Sequence, residues 1–380
     1  MSEYQYYEFL AIDQPLDERQ PGELRALSSR ADISATGFVN EYHWGNFRGN
    51  PRVLMERYFD AFLYFANWGD RQLMLRVPAQ LLDLEAAQRY CVDGDLTIAW
   101  QHGDNVILSF LYRDESGEWE YTEDPRLGAL LAIREELVGG DHRALYLAWL
   151  TTIGLYLDPE YIDVEEVEPP VPAGLSKLTG AQRALVEFLR IDQDLLAVAT
   201  QASPPLGAGP SDDGLVEFVK SLSQKEKDAL LVRAANGDAS GIADLRRRYR
   251  SLHAATPMAG SRTVGELLDA ASGRGDERRQ EEARRAEELR ARRERRAAAA
   301  REERLDALAA DREAAWQKAD ALIATRNQSQ YDAAVSLLID LKALSARSND
   351  ETVFTQRCQQ LRDEHRRKPT LMQRFDAAGL

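Results

Sequence analysis

The sequence predicts an α+β domain at the N-terminus, followed by segments that are entirely helical. Up to about residue 157, short runs rich in aromatic and branched residues alternate with helical patterns, which is typical of a sheet packed against helices. From residue 175 onward, apolar residues recur at helical spacing instead. The chain has 380 residues, which is long enough for two or three domains with separate cores.

The first 78 residues predict the order β-α-β-α-β. The strands are expected at Tyr4–Asp13, Ile33–Tyr42 and Leu73–Pro78, and the helices at Glu23–Arg30 and from Pro51 to about Asn67. The second helix is expected to be largely buried, because its apolar residues cover more than one face. This order favours a mixed sheet with helices on one face, of the ferredoxin-like or split βαβ kind.

A β-hairpin and three helices are expected to complete this domain. The runs Asp95–Gln101 and Asn105–Tyr112 are joined by His102-Gly103-Asp104, a typical hairpin connection. Helices are expected at Leu84–Tyr90, Arg126–Val138 and Asp141–Tyr156. Residues 1–157 therefore form the predicted acidic α+β domain.

The next segments are predicted to be a linker and helices. Residues 158–174 are acidic and rich in proline, which predicts a linker. Residues 175–253 predict a small helical bundle. Residues 254–275 predict a loop and a short helix, and Thr263 begins a capping box in front of that helix.

Residues 276–310 predict a long charged single helix. Between residues 276 and 305 there are 11 arginines and 9 acidic residues but only two large apolar side chains, so the apolar positions of a coiled coil are missing. Pairs such as Glu281 and Arg285 stand four residues apart, and about 30 residues would make a spacer of roughly 45 Å. Residues 311–380 then predict a helical hairpin and a third helix, similar to a tetratricopeptide unit.

The negative charge is concentrated in the first half of the chain. Residues 1–175 hold 31 acidic residues and 13 arginines, and the first lysine is Lys177. Such a surface repels nucleic acid and anionic lipid, because binding to phosphate depends on lysine and arginine. We therefore expect protein partners, and no nucleic acid partner for the N-terminal half.

The chain also lacks several signals of other protein classes. Cys91 and Cys358 are the only cysteines, so neither a disulfide framework nor a paired-cysteine metal site is expected. The N-terminal residues lack the features of a signal peptide, and no apolar run approaches the roughly 18 residues that span a membrane. These features predict a cytoplasmic protein without a membrane partner.

The loop after the second strand is the most site-like segment. His43, Trp44, Asn46 and Arg48 crowd into a turn-rich stretch between two elements, where Asp13 or Glu41 could join them. Loops on rigid scaffolds commonly carry recognition residues. The alternative interpretation is that Trp44 and Phe47 only cover the edge of the sheet.

Other chemical sites are not predicted. The five histidines fall in separate elements, so a metal site would require convergence over long distances in the sequence; they are His43, His102, His142, His253 and His365. The glycine-rich phosphate loop, the dinucleotide-binding motif and the nucleophile elbow do not occur in the sequence. We expect neither a metal nor a cofactor, and we assign no catalytic residue.

Several sequence blocks resemble a known family. YQYYEFLAID, FVNEYHWGNF, YFDAFLYFANWG and LMLRVP are similar to the opening of a bacterial family of uncharacterised proteins. YDAAVSLLIDLKAL and HRRKPTLMQRFDAAGL are similar to the ending of the same family. The resemblance covers most of the chain, and it implies no activity and no role for any residue.

The sequence leaves three functional hypotheses. The first is a non-enzymatic scaffold or adaptor, in which the two ends of the chain bind different proteins. The second is a regulatory protein of a stress or phage-defence operon, which a protease could cut at residues 202–213 or 254–261. The third is an enzyme or small-ligand binder with its pocket around His43 and Arg48.

Overall fold

The computed structural model divides the chain into two compact units, Met1–Glu277 and Arg278–Leu380. Each unit has its own hydrophobic core. The structure describes residues 3–92, 94, 96–113, 126–155, 163–206, 212–235, 241, 244–245, 248–249, 262–325 and 327–380. The class predicted from the sequence, an α+β region followed by helices, is confirmed.

The N-terminal unit contains one sheet of seven strands among its described residues. In chain order these are β1 Gln5–Leu10, β2 Asp32–Ile33, β3 Gly37–Tyr42, β4 Ala61–Ala66, β5 Arg71–Pro78, β6 Thr97–His102 and β7 Asn105–Tyr112. Their order across the sheet is β2-β3-β1-β4-β5-β7-β6. The predicted hairpin is confirmed as β6 and β7, and it turns at Gly103, whose φ of +56° favours glycine.

Every described pair of neighbouring strands is antiparallel, so the predicted mixed sheet is wrong. β3 and β4 both run antiparallel to β1, which lies between them. The two outer strands are therefore parallel to each other but separated, which is the split βαβ arrangement that the sequence order favoured. The helix that connects them is α2, Pro51–Arg57.

The predicted helix from Pro51 to Asn67 is only half correct. Pro51 begins a helix and the Asn50 side chain caps it, but the helix ends at Arg57 and the apolar residues after it form β4. Phe62 packs into the core on one face of the sheet, and Leu63 packs into the core on the other. A strand that is buried on both faces is as apolar as a buried helix, so periodicity could not separate the two.

Helices cover both faces of the sheet, not one face as expected. One face is covered by α1 Gln20–Leu27 together with α2. The other face packs against α4 Leu127–Leu130, α5 Ala132–Val138, α6 Arg143–Leu155, α7 Gly180–Phe188 and α8 Gln193–Ala202. The unit also contains α3 Leu84–Gln88, α9 Asp212–Ser221 and α10 Gln224–Ala235, and a short 3-10 helix at Leu175–Lys177.

The predicted linker is packed into the N-terminal unit from Glu168 onward, whereas residues 163–167 are exposed. The Glu168 carboxylate is buried and accepts hydrogen bonds from Arg262 Nε at 2.6 Å and Nη2 at 2.8 Å, and also from the Tyr146 hydroxyl. Val171 is buried in the same core as α6 and α7. Residues 168–174, α7 and α8 thus share one core with the sheet, which differs from the expectation of a linker between separate domains.

The predicted short helix and spacer helix form one continuous helix, α11, Val264–Ala310. Thr263 and Glu266 form the predicted capping box at its start. Val264, Leu267 and Ala271 belong to the core of the N-terminal unit, whereas the stretch from residue 276 to residue 304 is almost entirely exposed. Glycines inside a helix cost only about 1 kcal/mol each, so those near residue 274 do not interrupt it.

The C-terminal unit contains the end of α11 and four further helices. These are α12 Arg312–Ala324, α13 Gln328–Arg347, α14 Glu351–His365 and α15 Pro369–Ala377. Their apolar stripes meet in a core that includes Trp316, Leu338, Phe354 and Phe375. The hairpin and third helix are as predicted. The fourth helix, which begins at Pro369, was not predicted.

The double burial of β4 can be tested by replacing two adjacent residues. We expect Phe62→Ala and Leu63→Ala each to lower the free energy of unfolding by about 2 to 5 kcal/mol, because each leaves a cavity in a different core. Val53→Ala on α2 is the control, because Val53 is 40% exposed. Urea denaturation of the full chain measures the effect. A change below about 0.5 kcal/mol at either β4 position would contradict burial on both faces.

The buried ion pair can be tested in the same way. Arg262→Met leaves the Glu168 carboxylate buried without its cation, so we expect a loss of about 3 to 5 kcal/mol, and the double substitution with Glu168→Leu should recover most of it. Arg285→Met removes an exposed pair with Glu281 and should cost less than about 1 kcal/mol. If the double variant is no more stable than Arg262→Met alone, the pair is not the source of the effect.

Candidate functional site

A cleft of about 450 Å³ opens between the end of α1 and the loop after β3. We call it the Trp44 cleft, and its lining is Arg25, Ala26, Leu27, Ser28, Ser29, Arg30, Tyr42, Trp44, Gly45, Asn46 and Arg48. Its polar side chains are three arginine guanidiniums, two serine hydroxyls, one tyrosine hydroxyl and one asparagine amide, all of which can form hydrogen bonds with a ligand.

The first wall of the Trp44 cleft is fixed by Arg25. α1 ends at Leu27, and the chain then turns away as an extended segment. Arg25 Nη1 donates to the carbonyl oxygens of Ala31 at 2.7 Å and Ser29 at 3.2 Å. These bonds hold the segment after the helix in place, and they bring Arg30 to the mouth of the cleft.

The floor of the cleft is held by a buried amide. Asn40 on β3 is 2% exposed, and its Nδ2 donates to Ser28 Oγ at 2.9 Å and to the Tyr42 hydroxyl at 2.7 Å. Asn40 Oδ1 is buried and has no hydrogen-bond partner among the described residues. The Asn40 side chain thus connects Ser28, which follows α1, to Tyr42 at the end of β3.

The second wall is the loop that follows β3. Gln5 Nε2 donates to the carbonyl oxygen of Gly45 at 3.2 Å and to Asn46 Oδ1 at 3.1 Å, and Gly45 has a φ of +78°. Phe47 packs its ring against Tyr7 and against two core phenylalanines of β1 and β3. The loop is therefore anchored on both sides of Asn46, and its exposed residues are held in position.

The mouth of the cleft carries an exposed aromatic ring and two arginines. Trp44 is 67% exposed, and the Arg30 guanidinium lies over its ring, 4.3 Å from the centroid. Such a cation–π contact contributes about 0.5 to 1 kcal/mol at an exposed site. Arg30 and Arg48 form no ion pair with a carboxylate among the residues that the structure describes.

A smaller cleft of about 210 Å³ adjoins the Trp44 cleft and shares Leu27 and Arg48 with it. We call it the Val53 cleft, and its other lining residues are Glu23, Gly49, Asn50, Val53, Leu54, Arg57 and Tyr58. The Glu23 carboxylate is already engaged, because Arg57 Nη2 donates to it at 3.0 Å and the Tyr58 hydroxyl donates to it as well. Arg48 thus lies between a cationic cleft and a partly apolar one.

The structure brings together three of the four residues that the sequence singled out. Trp44, Asn46 and Arg48 line the cleft, whereas His43 lies outside its lining and packs against Tyr4, with 5.3 Å between the ring centroids. The suggested carboxylates do not line it either. Asp13 pairs with Arg134 at 2.5 Å, and Glu41 is exposed on β3.

Sequence reasoning missed the residues that α1 and the segment after it contribute. Arg25 and Arg30 lie 12 or more residues from the loop in the sequence, and their role depends on the pairing of β3 with β1. The spacing of Leu24 and Leu27 predicted a helix there, but nothing in a helical pattern says which loop the helix end will face. Of the two residues in the alternative interpretation, Phe47 is half-buried against aromatic residues of β1 and β3, whereas Trp44 is exposed.

Comparison of the chain with protein-family models, curated proteins and solved structures gave no match. Within the described residues, no helix is both long enough and apolar enough to cross a membrane.

One group of side chains in the C-terminal unit has the geometry to hold a metal ion. Asp320, Glu364 and His365 offer ligand atoms that lie within 4.8 Å of one another. His365 comes from the end of α14 and Asp320 from α12, so this is the long-range convergence that the sequence could not show. Both carboxylates are exposed, and such groups often lie this close without an ion, so the arrangement by itself carries no argument for a site.

The cysteines provide a test of thiol chemistry outside the cleft. Burial raises the pKa of Cys91 to about 11, and burial also raises the pKa of Cys358. A raised pKa keeps the thiol protonated and unreactive below that value. We therefore expect both cysteines to resist iodoacetamide at pH 8 in the native protein and to react rapidly in urea, as measured by mass spectrometry. Rapid labelling of native Cys91 at pH 8 would contradict its burial.

Proposed function

We propose that this chain is a non-enzymatic adaptor of the bacterial cytoplasm whose N-terminal unit recognises a protein partner at the Trp44 cleft. The observation that carries the proposal is an exposed tryptophan held by an arginine at the mouth of a concave surface. Tryptophan, tyrosine and arginine are the residues most enriched among those that dominate binding energy at protein interfaces. Trp44, Tyr42, Arg30 and Arg48 supply all three types within one cleft.

The rigidity of the site supports binding without a large entropic cost. Ordering a loop or a long side chain on binding consumes part of the interaction energy. The loop that carries Trp44 is already fixed by Gln5 and Phe47, and the segment that carries Arg30 is fixed by Arg25. A partner would therefore meet a surface that needs little rearrangement.

The C-terminal unit supplies a second candidate surface, which favours an adaptor over a single-site binder. A groove of about 240 Å³ lies between α12, α13 and α14. Its lining includes Trp316, the Arg357 guanidinium that lies 4.9 Å from the centroid of that ring, and Val353, which is 63% exposed. Trp316 itself is buried in the core and Arg357 pairs with Glu313, so the exposed apolar part of this groove is Val353.

One observation favours small-ligand binding as a second candidate function. The volume of the Trp44 cleft falls within the range of about 300 to 1,000 Å³ that is usual for ligand pockets. Such pockets are mostly apolar and bury most of the ligand, whereas this cleft is open and lined by charged groups. Regulation within a stress or phage-defence operon stays a hypothesis, and residues 207–211 and 254–261 of the suggested cleavage segments lie outside the described residues.

The adaptor proposal predicts that Trp44→Ala abolishes capture of specific partners. We expect a subset of the proteins that co-purify with the full-length chain from its native cytoplasm, those bound by the N-terminal unit, to fall at least tenfold with Trp44→Ala, because the substitution removes a dominant contact. Quantitative mass spectrometry measures the change. Trp44 is exposed, so the melting temperature should stay within a few degrees of the parent protein.

Leu289→Ala is the matched control for this experiment. Leu289 is 56% exposed on α11, so the control also removes a large exposed apolar side chain. Its set of captured proteins should equal that of the parent chain. If Trp44→Ala and Leu289→Ala retain the same proteins in the same amounts, the Trp44 cleft is not the partner site.

A further inference from the structure

We propose that the partner segment at the Trp44 cleft presents a single carboxylate next to an apolar side chain, with the carboxylate bound by Arg48 and Arg30. This inference rests on the proposed function and names the chemistry of the partner. It follows from the difference in charge between the lining of the cleft and the rest of residues 1–175. It also follows from the position of Arg48, which lines both the Trp44 cleft and the Val53 cleft.

The lining of the Trp44 cleft is positively charged, whereas the first half of the chain is strongly acidic. Residues 1–175 hold 31 acidic residues and 13 arginines, yet three of those arginines and none of the acidic residues line the Trp44 cleft. Of the acidic residues near the two clefts, Glu23 is already paired with Arg57, and Glu41 is exposed on β3 outside the lining. The cleft therefore offers positive charge that its own lining does not neutralise.

Two of these arginines have donors to offer to a ligand. Arg48 is exposed, and neither a hydrogen bond nor an ion pair of its guanidinium occurs among the described residues. Arg30 is exposed, and its guanidinium lies 4.3 Å from the centroid of the Trp44 ring and forms no ion pair among the described residues. Planar guanidinium groups pair well with carboxylates through parallel hydrogen bonds.

The surrounding charge limits the anion to a short one. A polyanion such as nucleic acid, or a long acidic tract, would extend past the cleft onto a surface of net negative charge and be repelled. A single carboxylate with neutral or basic neighbours is attracted by the arginines of the cleft. The rest of such a peptide is not repelled by the acidic surface around the cleft. This is why we infer one carboxylate and not an acidic stretch.

The Val53 cleft supplies the apolar half of the recognition. It shares Arg48 and Leu27 with the Trp44 cleft, and Val53, which is 40% exposed, lies in its lining. A side chain adjacent to the bound carboxylate can therefore contact Val53 and Leu27 while Arg48 holds the charge. The expected ligand is a peptide in which Asp or Glu adjoins a large apolar residue.

Selection from a random dodecapeptide library on phage tests this inference. The library is selected in parallel on the immobilised full-length chain, on Trp44→Ala, on Arg48→Gln and on the control Arg290→Gln, which lies on the exposed face of α11. We expect the parent chain and Arg290→Gln to enrich peptides with one acidic residue beside a large apolar residue. Trp44→Ala should enrich none of them, and Arg48→Gln should lose the preference for the acidic residue.

An enriched peptide and its Glu→Gln counterpart then measure the contribution of the charge. We expect the Gln peptide to bind about tenfold more weakly to the parent chain and equally well to Arg48→Gln, by fluorescence anisotropy at 50 mM salt. A phosphoserine peptide and a single-stranded oligonucleotide serve as competitors. Stronger competition by either of these than by the Glu peptide would overturn the assignment to a carboxylate.

The outcomes separate this inference from the proposed function. Peptides that depend on Trp44 but carry no excess of acidic residues would overturn the inference and leave protein binding at the cleft intact. A selection that is the same on the parent chain and on Trp44→Ala would overturn both. An unchanged melting temperature of Arg48→Gln shows that a lost preference does not arise from unfolding.

Discussion

The central strands β1 and β4 are buried on both faces, and the positions of the other elements depend on this double burial. Phe9 and Phe62 stack, with 4.3 Å between their ring centroids, in the core on one face, while Leu63 lies in the core on the other face. Aromatic pairs add about 0.5 to 1.5 kcal/mol beyond the area that they bury. Because neither face can be left in water, one helical layer is required on each side. α1 and α2 form one of these layers, and the loop that joins β3 to α2 passes the end of α1, where the cleft opens.

Sequence patterns predicted the elements better than their arrangement. The hairpin of β6 and β7, the start of α2 at Pro51 and the capping box at Thr263 follow from local chemistry, and all three are confirmed. The apolar run from Tyr58 to Ala66 was assigned to a helix, because a doubly buried strand has no polar face to reveal its period of two. The strand order was also beyond local reasoning. It places β1, the first strand in the chain, between β3 and β4, and such pairings depend on contacts distant in sequence.

The same limit explains the partial prediction of the site. The sequence singled out Trp44, Asn46 and Arg48 because aromatic, amide and charged residues lie close together in one loop. Such a cluster can be recognised from neighbouring residues alone. Arg25 lies near the end of α1 and Arg30 lies in the segment after it, neither stretch has a special composition, and only the fold brings them opposite the loop. The net negative charge of residues 1–175 argued against a nucleic acid partner. The lining of the Trp44 cleft consists of fewer than a dozen residues, and their charges differ from that average. The ligand that a cleft prefers depends on the charges of its own lining residues. The net charge of the whole region adds only a weaker, long-range contribution.

The contact between Glu168 and Arg262 has a consequence for how this chain can change in evolution. Val167 and Thr263 form a β-bridge directly beside that ion pair, and Arg262 Nη1 also donates to the carbonyl oxygen of Val198 on α8 at 3.3 Å. The segment between α8 and Arg262 therefore forms a loop whose two ends are held close together. The entropy of closing such a loop grows only with the logarithm of its length, and doubling the length costs about 0.6 kcal/mol. A change in the length of this segment would therefore cost little stability and would leave the sheet and its cleft unchanged.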